Sequence, residues 1–177
     1  MKTILDLEPK EVWSIFHELN QVPRPSKKES KAVEFAYNYG KKLGLETFKD
    51  KIGNVIIRKP ATKGMENRAG LIMQAHLDMV PQKNPDVKHN FETDPIKTRV
   101  VGDLLYATGT TLGADDGLGV ASALAVLASK TLKHGPLEAL FTVDEETGMT
   151  GARALKSGLL KGDILINLDS ETEGELY

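Results

Sequence analysis

Apolar residues recur at two spacings along this chain, and the changes of spacing mark its elements. Val12, Ile15, Phe16 and Leu19 fall at helical intervals, so a first helix is predicted over about residues 9–20, with Pro9 suited to the first helical position. A turn with Pro23 and Pro25 follows. Ser26 and Glu29 have capping-box spacing for a second helix. Its stripe is Ala32, Ala36, Tyr39 and Leu43, and Gly44 is its stop. The period then shortens to that of strands, over residues 45–48 and again over 54–58 beyond Gly53. Residues 60–68 read as a loop. GLIMQA (70–75) is a short apolar run, consistent with a buried strand. Residues 81–99 are irregular, and 100–107 is predicted as one strand. GLGVASALAVLAS (117–129) is apolar on every side at helix length and is predicted as a buried helix. A strand over 137–143, a helix over about 149–157 and a strand over 163–168 complete the pattern. Strands alternating with helices indicate an α/β layered fold.

Composition narrows the function. The chain has 177 residues, 23 Lys and Arg against 25 Asp and Glu, and no Cys. The length suits one ordinary domain. Without Cys there is no disulfide framework, no Cys-based zinc finger and no thiol catalysis. A near-neutral charge with dispersed cations argues against a nucleic-acid surface or a polybasic membrane anchor. No run approaches the ~20 apolar residues of a membrane span. The N-terminus has no apolar core of a signal peptide, so a cytoplasmic protein is expected.

Four polar clusters stand at element ends: His76-Leu77-Asp78 after GLIMQA, Asp115-Asp116 in GTTLGADDGLG before the buried helix, Asp144-Glu145-Glu146 after LEALFTV, and Asp169 after DILINL. Open α/β sheets bind ligands outside the carboxyl ends of their strands, where three of these clusters fall. One His with several carboxylates is a nitrogen/oxygen ligand set suited to Zn²⁺, Mn²⁺ or Co²⁺. A carboxylate can bridge two metals, and a spare Glu beside a metal can act as general base. Asp78, two residues from His76 on an extended path, can hold the second ring nitrogen. Read singly, the same groups are bland: Asp115-Asp116 as turn and helix cap, Asp144–Glu146 as a solvated acidic loop, Asp169 as a turn residue. Their succession at four element ends favours the metal site. A phosphate-cradling reading of GTTLGADDGLG fails, because the glycine patterns are wrong and paired Asp residues repel phosphate.

The stretches AHLDMVPQK, GTTLGADDGLGVASALAVLA, DEETGMTGA and LINLDSETEGELY, with VPRPS near the start and GNVIIRKPATKGMENR, resemble the aminoacyl-histidine dipeptidases. These are cytosolic di-zinc metallopeptidases, Xaa-His or carnosine-splitting, related more distantly to carboxypeptidase G, aminoacylase and succinyl-diaminopimelate desuccinylase. The likeness runs through nearly all of the chain. It implies a three-layer α/β/α catalytic domain with a mostly parallel mixed sheet. By position it implies that His76 and Asp169 bind one zinc, that Glu146 binds the second, and that Asp115 bridges both. It makes Asp78 the residue that orients His76, and Glu145 the general base for a bridging water. A cis peptide at Asp115–Asp116 is implied too. Asp116 departs mildly from the resemblance, where Asn is expected as often. The implied substrate is a dipeptide with a free N-terminus. The resemblance also implies a further His and a lid or dimerisation domain, supplied by other parts of a homodimeric parent. His17, His89 and His134 match no ligand position. The 177 residues therefore read as the N-terminal part of a catalytic domain truncated on its C-terminal side. They hold one three-ligand zinc site (His76, Asp115, Asp169) and one incomplete one (Asp115, Glu146). A related amide hydrolase and a non-catalytic domain that kept the fold are the alternatives; the complete set of site residues speaks against the second.

Overall fold

Leu137–Thr142 is buried at every position, as a strand hemmed in on both faces must be. It forms the centre of the sheet in the computed structural model, which describes residues 2–170 and residue 172. The elements in chain order are α1 (Lys10–Asn20), α2 (Ser30–Lys42), β1 (Glu46–Lys49), β2 (Val55–Lys59), β3 (Leu71–His76), β4 (Thr98–Val101), β5 (Leu104–Ala107), α3 (Ala114–Ala128), β6 (Leu137–Thr142), α4 (Glu145–Gly148), α5 (Thr150–Arg153) and β7 (Ile164–Asn167). A single 3₁₀ turn, Ile4–Asp6, precedes them. The main sheet runs β1-β2-β6-β3-β7. β3 is parallel to both β6 and β7, and β2 is antiparallel to its neighbours β1 and β6. This is the mixed α/β sheet that the sequence predicts.

The parallel registers pair His76 with Thr142 and Gln74 with Asn167. The carboxyl ends of β3, β6 and β7 therefore lie side by side, and whatever follows each strand meets at one edge. On one face of the sheet α2 and α3 pack, with α1 laid over α3, around Phe16, Leu19, Val120, Leu124, Ala139 and Phe141. On the other face Ile56, Ile72 and Leu140 are covered by Leu155, Leu159 and Leu160, an irregular segment rather than a long helix. The apolar residues of β7, Ile164 to Ile166, remain between 38% and 52% exposed.

Four expectations need correction. The Ser26/Glu29 capping box does not form. Ser26 is drawn to the loop after β3, where its N–H and hydroxyl both reach the Met79 carbonyl, and the Glu29 carboxylate caps nothing. Residues 100–107 are not one strand. They contribute to a two-stranded hairpin that turns at Gly102, whose φ of 60° only glycine adopts freely. The helix over 149–157 is reduced to one turn, α5, and Met149, with a left-handed φ of 53°, separates it from the single turn α4 that precedes it. Pro9 stands just ahead of α1 as its N-cap rather than inside it. The regular part of α3 begins at Gly117, as predicted; Asp115 and Asp116 precede it with non-helical backbone. Residues 171 and 173–177, the tail of the last motif, lie outside the described residues.

Candidate metal and active site

His76 ends β3 and is 1% exposed. Its Nδ1 lies 3.1 Å from the main-chain oxygen of Asp78 and 3.4 Å from Asp78 Oδ1. That contact points Nε2 at a ring of acids: Asp115 Oδ1 at 2.9 Å, Asp169 Oδ2 at 3.7 Å and Glu145 Oε2 at 4.0 Å. The donors arrive from four separate chain segments, gathered by the parallel register. Two groups offer ligand atoms within 4.8 Å of one another: His76 with Asp115 and Glu146, and His76 with Asp116 and Asp169. All six residues singled out from the sequence are thus brought to one place, joined by Asp116. The peptide between Asp115 and Asp116 is cis.

Fixed hydrogen bonds hold the acids in place. The Asp78 carboxylate, fully buried, accepts the N–H groups of Glu145 and Glu146 at 3.0 and 3.3 Å, so the same residue that steadies His76 also seats the acidic turn after β6. Burial works against its charge, but the bonds from His76 and the Glu145 amide win and bring its pKa down to about 2. His76 shows the reciprocal effect. Burial lowers its pKa, while Asp78, Asp116 and Asp115 raise it further, to about 9. Asp116 turns inward and accepts the N–H groups of His76 and Gly119. Its burial, together with the neighbouring acids Asp169 and Asp115, lifts it to about 7. Glu145 and Glu146 are both raised, first by burial and then by the acids around them. Asp115 is 70% exposed and faces open space.

This donor set fits divalent cations. Carboxylates that raise one another's pKa are poised to be neutralised by a metal, and imidazole with oxygen donors is the chemistry such ions take. Asp115, Asp116 and Asp169 line a cavity of about 610 Å³ together with Leu118, Leu168 and Ser170.

Two supporting residues, Arg24 and Asn54, escape a reading of the sequence as motifs of acids and His. Arg24 is the one fully buried Lys or Arg among the described residues. Its Nη1 donates to the carbonyls of Leu77 and Asp78, and its Nη2 to that of Gly113 at 2.6 Å. Burial brings its pKa down to about 10 against the pull of Asp78, Asp116 and Asp115, so it stays cationic. Asn54, also fully buried, donates to the Gly151 carbonyl and to Asp50, and accepts the Val143 N–H; it fixes the exit of β6. Asp144 sits in a left-handed conformation and accepts the hydroxyls of Thr147 and Thr150 across the α4–α5 turns. The only sequence signals for Arg24 and Asn54 were the Arg between two prolines and the Gly-Asn step before β2.

Comparison with known proteins agrees with the geometry. Residues 72–173 match the family "Peptidase family M20/M25/M40", and the chain belongs to it. It is 51% identical, over all 177 residues, to the cytosol non-specific dipeptidase of Escherichia coli. It superposes on the aminoacylhistidine dipeptidase of Vibrio alginolyticus with a TM-score of 0.95 at 52% identity, over 98% of this chain. The aminopeptidase PepT of Bacillus cereus gives a TM-score of 0.77 at 30% identity over 92% of it. The chain spans 36% of the Escherichia coli relative's length, 35% of the Vibrio protein and 44% of the Bacillus one. Membership implies a divalent-metal site. No helix among the described residues is long and apolar enough to cross a membrane.

Proposed function

We propose that this chain is the N-terminal part of the catalytic domain of a metal-dependent dipeptidase acting on Xaa-His dipeptides in the cytoplasm. The observation that carries the reading is the meeting of His76 Nε2 with Asp115, Glu145 and Asp169 within 4.0 Å at the carboxyl ends of adjacent strands. His76, Asp115 and Asp169 would hold one zinc, and Asp115 and Glu146 would contribute to a second, with Mn²⁺ or Co²⁺ as substitutes. When bound, the metals supply the Lewis acidity that makes water nucleophilic near neutral pH and polarise the scissile carbonyl.

The chain's own groups do the rest. Asp78 fixes the His76 ring through Nδ1, leaving Nε2 free as a ligand. Glu145 is the proton carrier: it takes the proton of the attacking water and returns it to the leaving amine nitrogen. Its raised pKa, from burial and neighbouring acids, makes it a stronger base than an exposed Glu. Asp78 holds Glu145 and Glu146 through their amides, so base and ligand keep a fixed separation.

The parent protein, a homodimer joined through a lid domain, supplies the rest of the second zinc site. The 177 residues alone then bind one zinc more tightly than the second and turn over dipeptides little or not at all. The test is a panel of Ala-His, β-Ala-His and N-acyl amino acids, assayed on this chain and on one of the relatives' full length. Dipeptide hydrolysis by the longer chain, reduced about 10²–10⁴-fold in Glu145→Gln, is expected. Preference for N-acyl amino acids would replace the dipeptidase with an amide hydrolase. Two equally tight sites by calorimetry on the 177 residues would overturn the ligand assignment.

A further inference from the structure

Among the described residues no carboxylate is hydrogen-bonded to the buried guanidinium of Arg24. All of its hydrogen bonds go to main-chain carbonyls: those of Leu77 and Asp78 on one side, and that of Gly113 on the other. A buried charge spent on backbone is costly, and its Nε has no hydrogen-bond partner among the described residues. The two sides it joins are the two sides of the candidate site. The Asp78 carbonyl that receives Arg24 Nη1 at 3.2 Å is also the one that receives His76 Nδ1 at 3.1 Å. Gly113 stands two residues before Asp115, whose Oδ1 meets His76 Nε2 at 2.9 Å. Arg24 therefore closes a ring: His76 to the Asp78 carbonyl, to Arg24, to Gly113, along the chain to Asp115, and back to His76. Both contacts of the imidazole are held by one side chain. The Arg24 backbone is tied to the same loop, because its carbonyl accepts the Met79 N–H at 3.1 Å.

We infer that Arg24 is a positioning residue of the metal site, clamping the Asp78 and Gly113 carbonyls so that the His76 ring and the Asp115 carboxylate keep the spacing one cation needs. It touches neither metal nor substrate, and its action passes through the two loops. The inference rests on the metal-site reading above. Lys at this position cannot replace it, because one ammonium on a flexible stem cannot reach carbonyls on both sides with fixed geometry.

The test is titration of the 177-residue chain with Co²⁺, followed by visible absorption, for the unaltered chain, Arg24→Lys and Arg24→Met. Leu140→Ala, in the cluster on the opposite face of the sheet, matches a loss of thermal stability without approaching the site. Groups one step from a ligand typically change metal affinity about 10–100-fold, so about tenfold weaker binding and an altered Co²⁺ spectrum are expected in Arg24→Met. Arg24→Lys is expected to recover stability but not the spectrum, and Leu140→Ala to keep both affinity and spectrum. Unchanged affinity and spectrum in a folded Arg24→Met or Arg24→Lys overturns the inference. Loss of the fold in both, read by circular dichroism, assigns Arg24 to stability alone and overturns it too. If the unaltered chain binds no Co²⁺, the metal-site reading falls and takes this inference with it.

Discussion

The two ends of the central strands handle buried carboxylates in opposite ways. At the amino end of β6, Glu138 is 4% exposed and fully served: Arg58 Nε lies 2.6 Å away, and the N–H groups of Lys161 and Gly162 donate to its other oxygen. Arg58 also reaches Glu46 and the Leu159 carbonyl. Nearby, Lys59 donates to the carbonyls of Val126 and Ser129 at the end of α3, where a cation suits the helix dipole. At the carboxyl end, Asp116 is as buried as Glu138 but has acids for neighbours, and its pKa rises to about 7. One end is a closed ion pair; the other is left short of positive charge. Mutually repelling carboxylates do not serve stability, so the shortage fits the proposed uptake of a cation at that end.

Removing the pairing at the amino end should have the largest effect. Arg58→Met leaves Glu138 buried with only two amides, and breaking such a pair costs about 3–5 kcal/mol. Urea unfolding at pH 7 measures it; a change below 1 kcal/mol would erase the contrast between the ends. Supplying charge at the carboxyl end should act in the opposite direction. Zn²⁺ or Co²⁺ at a hundred times its dissociation constant should raise unfolding free energy by about 2.7 kcal/mol, reversed by chelator. The same ion should leave His76→Ala unmoved, and an equal gain in that variant would place the metal elsewhere.

Smaller effects probe how tightly the carboxyl end is built. A Cβ at Gly151 would lie 2.4 Å from Asn54 Oδ1 and 2.6 Å from the Val143 backbone. Gly151→Ala should destabilise by about 1–3 kcal/mol and weaken metal binding through the displaced acidic turn, as calorimetry on the variant would show. The smallest effect belongs to Glu29, raised by burial and by the charges of Asp78 and Asp144. An acid whose folded pKa lies above its unfolded one loses stability as pH rises from the unfolded pKa through the folded one. Glu29→Gln should therefore match the unaltered chain below pH 4 and melt at a higher temperature at pH 7. Equal melting temperatures at both values would show that Glu29 is not crowded.

Much of this was legible along the chain. The mostly apolar runs of β3, β6 and α3 announce buried elements because burial on both faces favours apolar side chains. His76, Asp78, Asp115, Glu145, Glu146 and Asp169 stood out because they follow such runs directly. Local signals served less well where a distant partner competed. Ser26 has the spacing of a cap, yet the Met79 carbonyl takes its hydroxyl. Residues 149–157 have helical spacing, yet with Met149 left-handed and Thr150 held by the Asp144 carboxylate only the single turn α5 forms there.

Sequence alone determined the α/β alternation, the buried strands and helix, and which residues were candidates for the site, since each depends on a residue's own character and its near neighbours. Only the tertiary structure decided that β3 lies between β6 and β7, which sets His76, Glu145 and Asp169 side by side. It also decided that Arg24 and Asn54 stand behind them. Those placements come from pairing and burial between segments 50 to 100 residues apart, and no local pattern in the chain encodes a contact of that range.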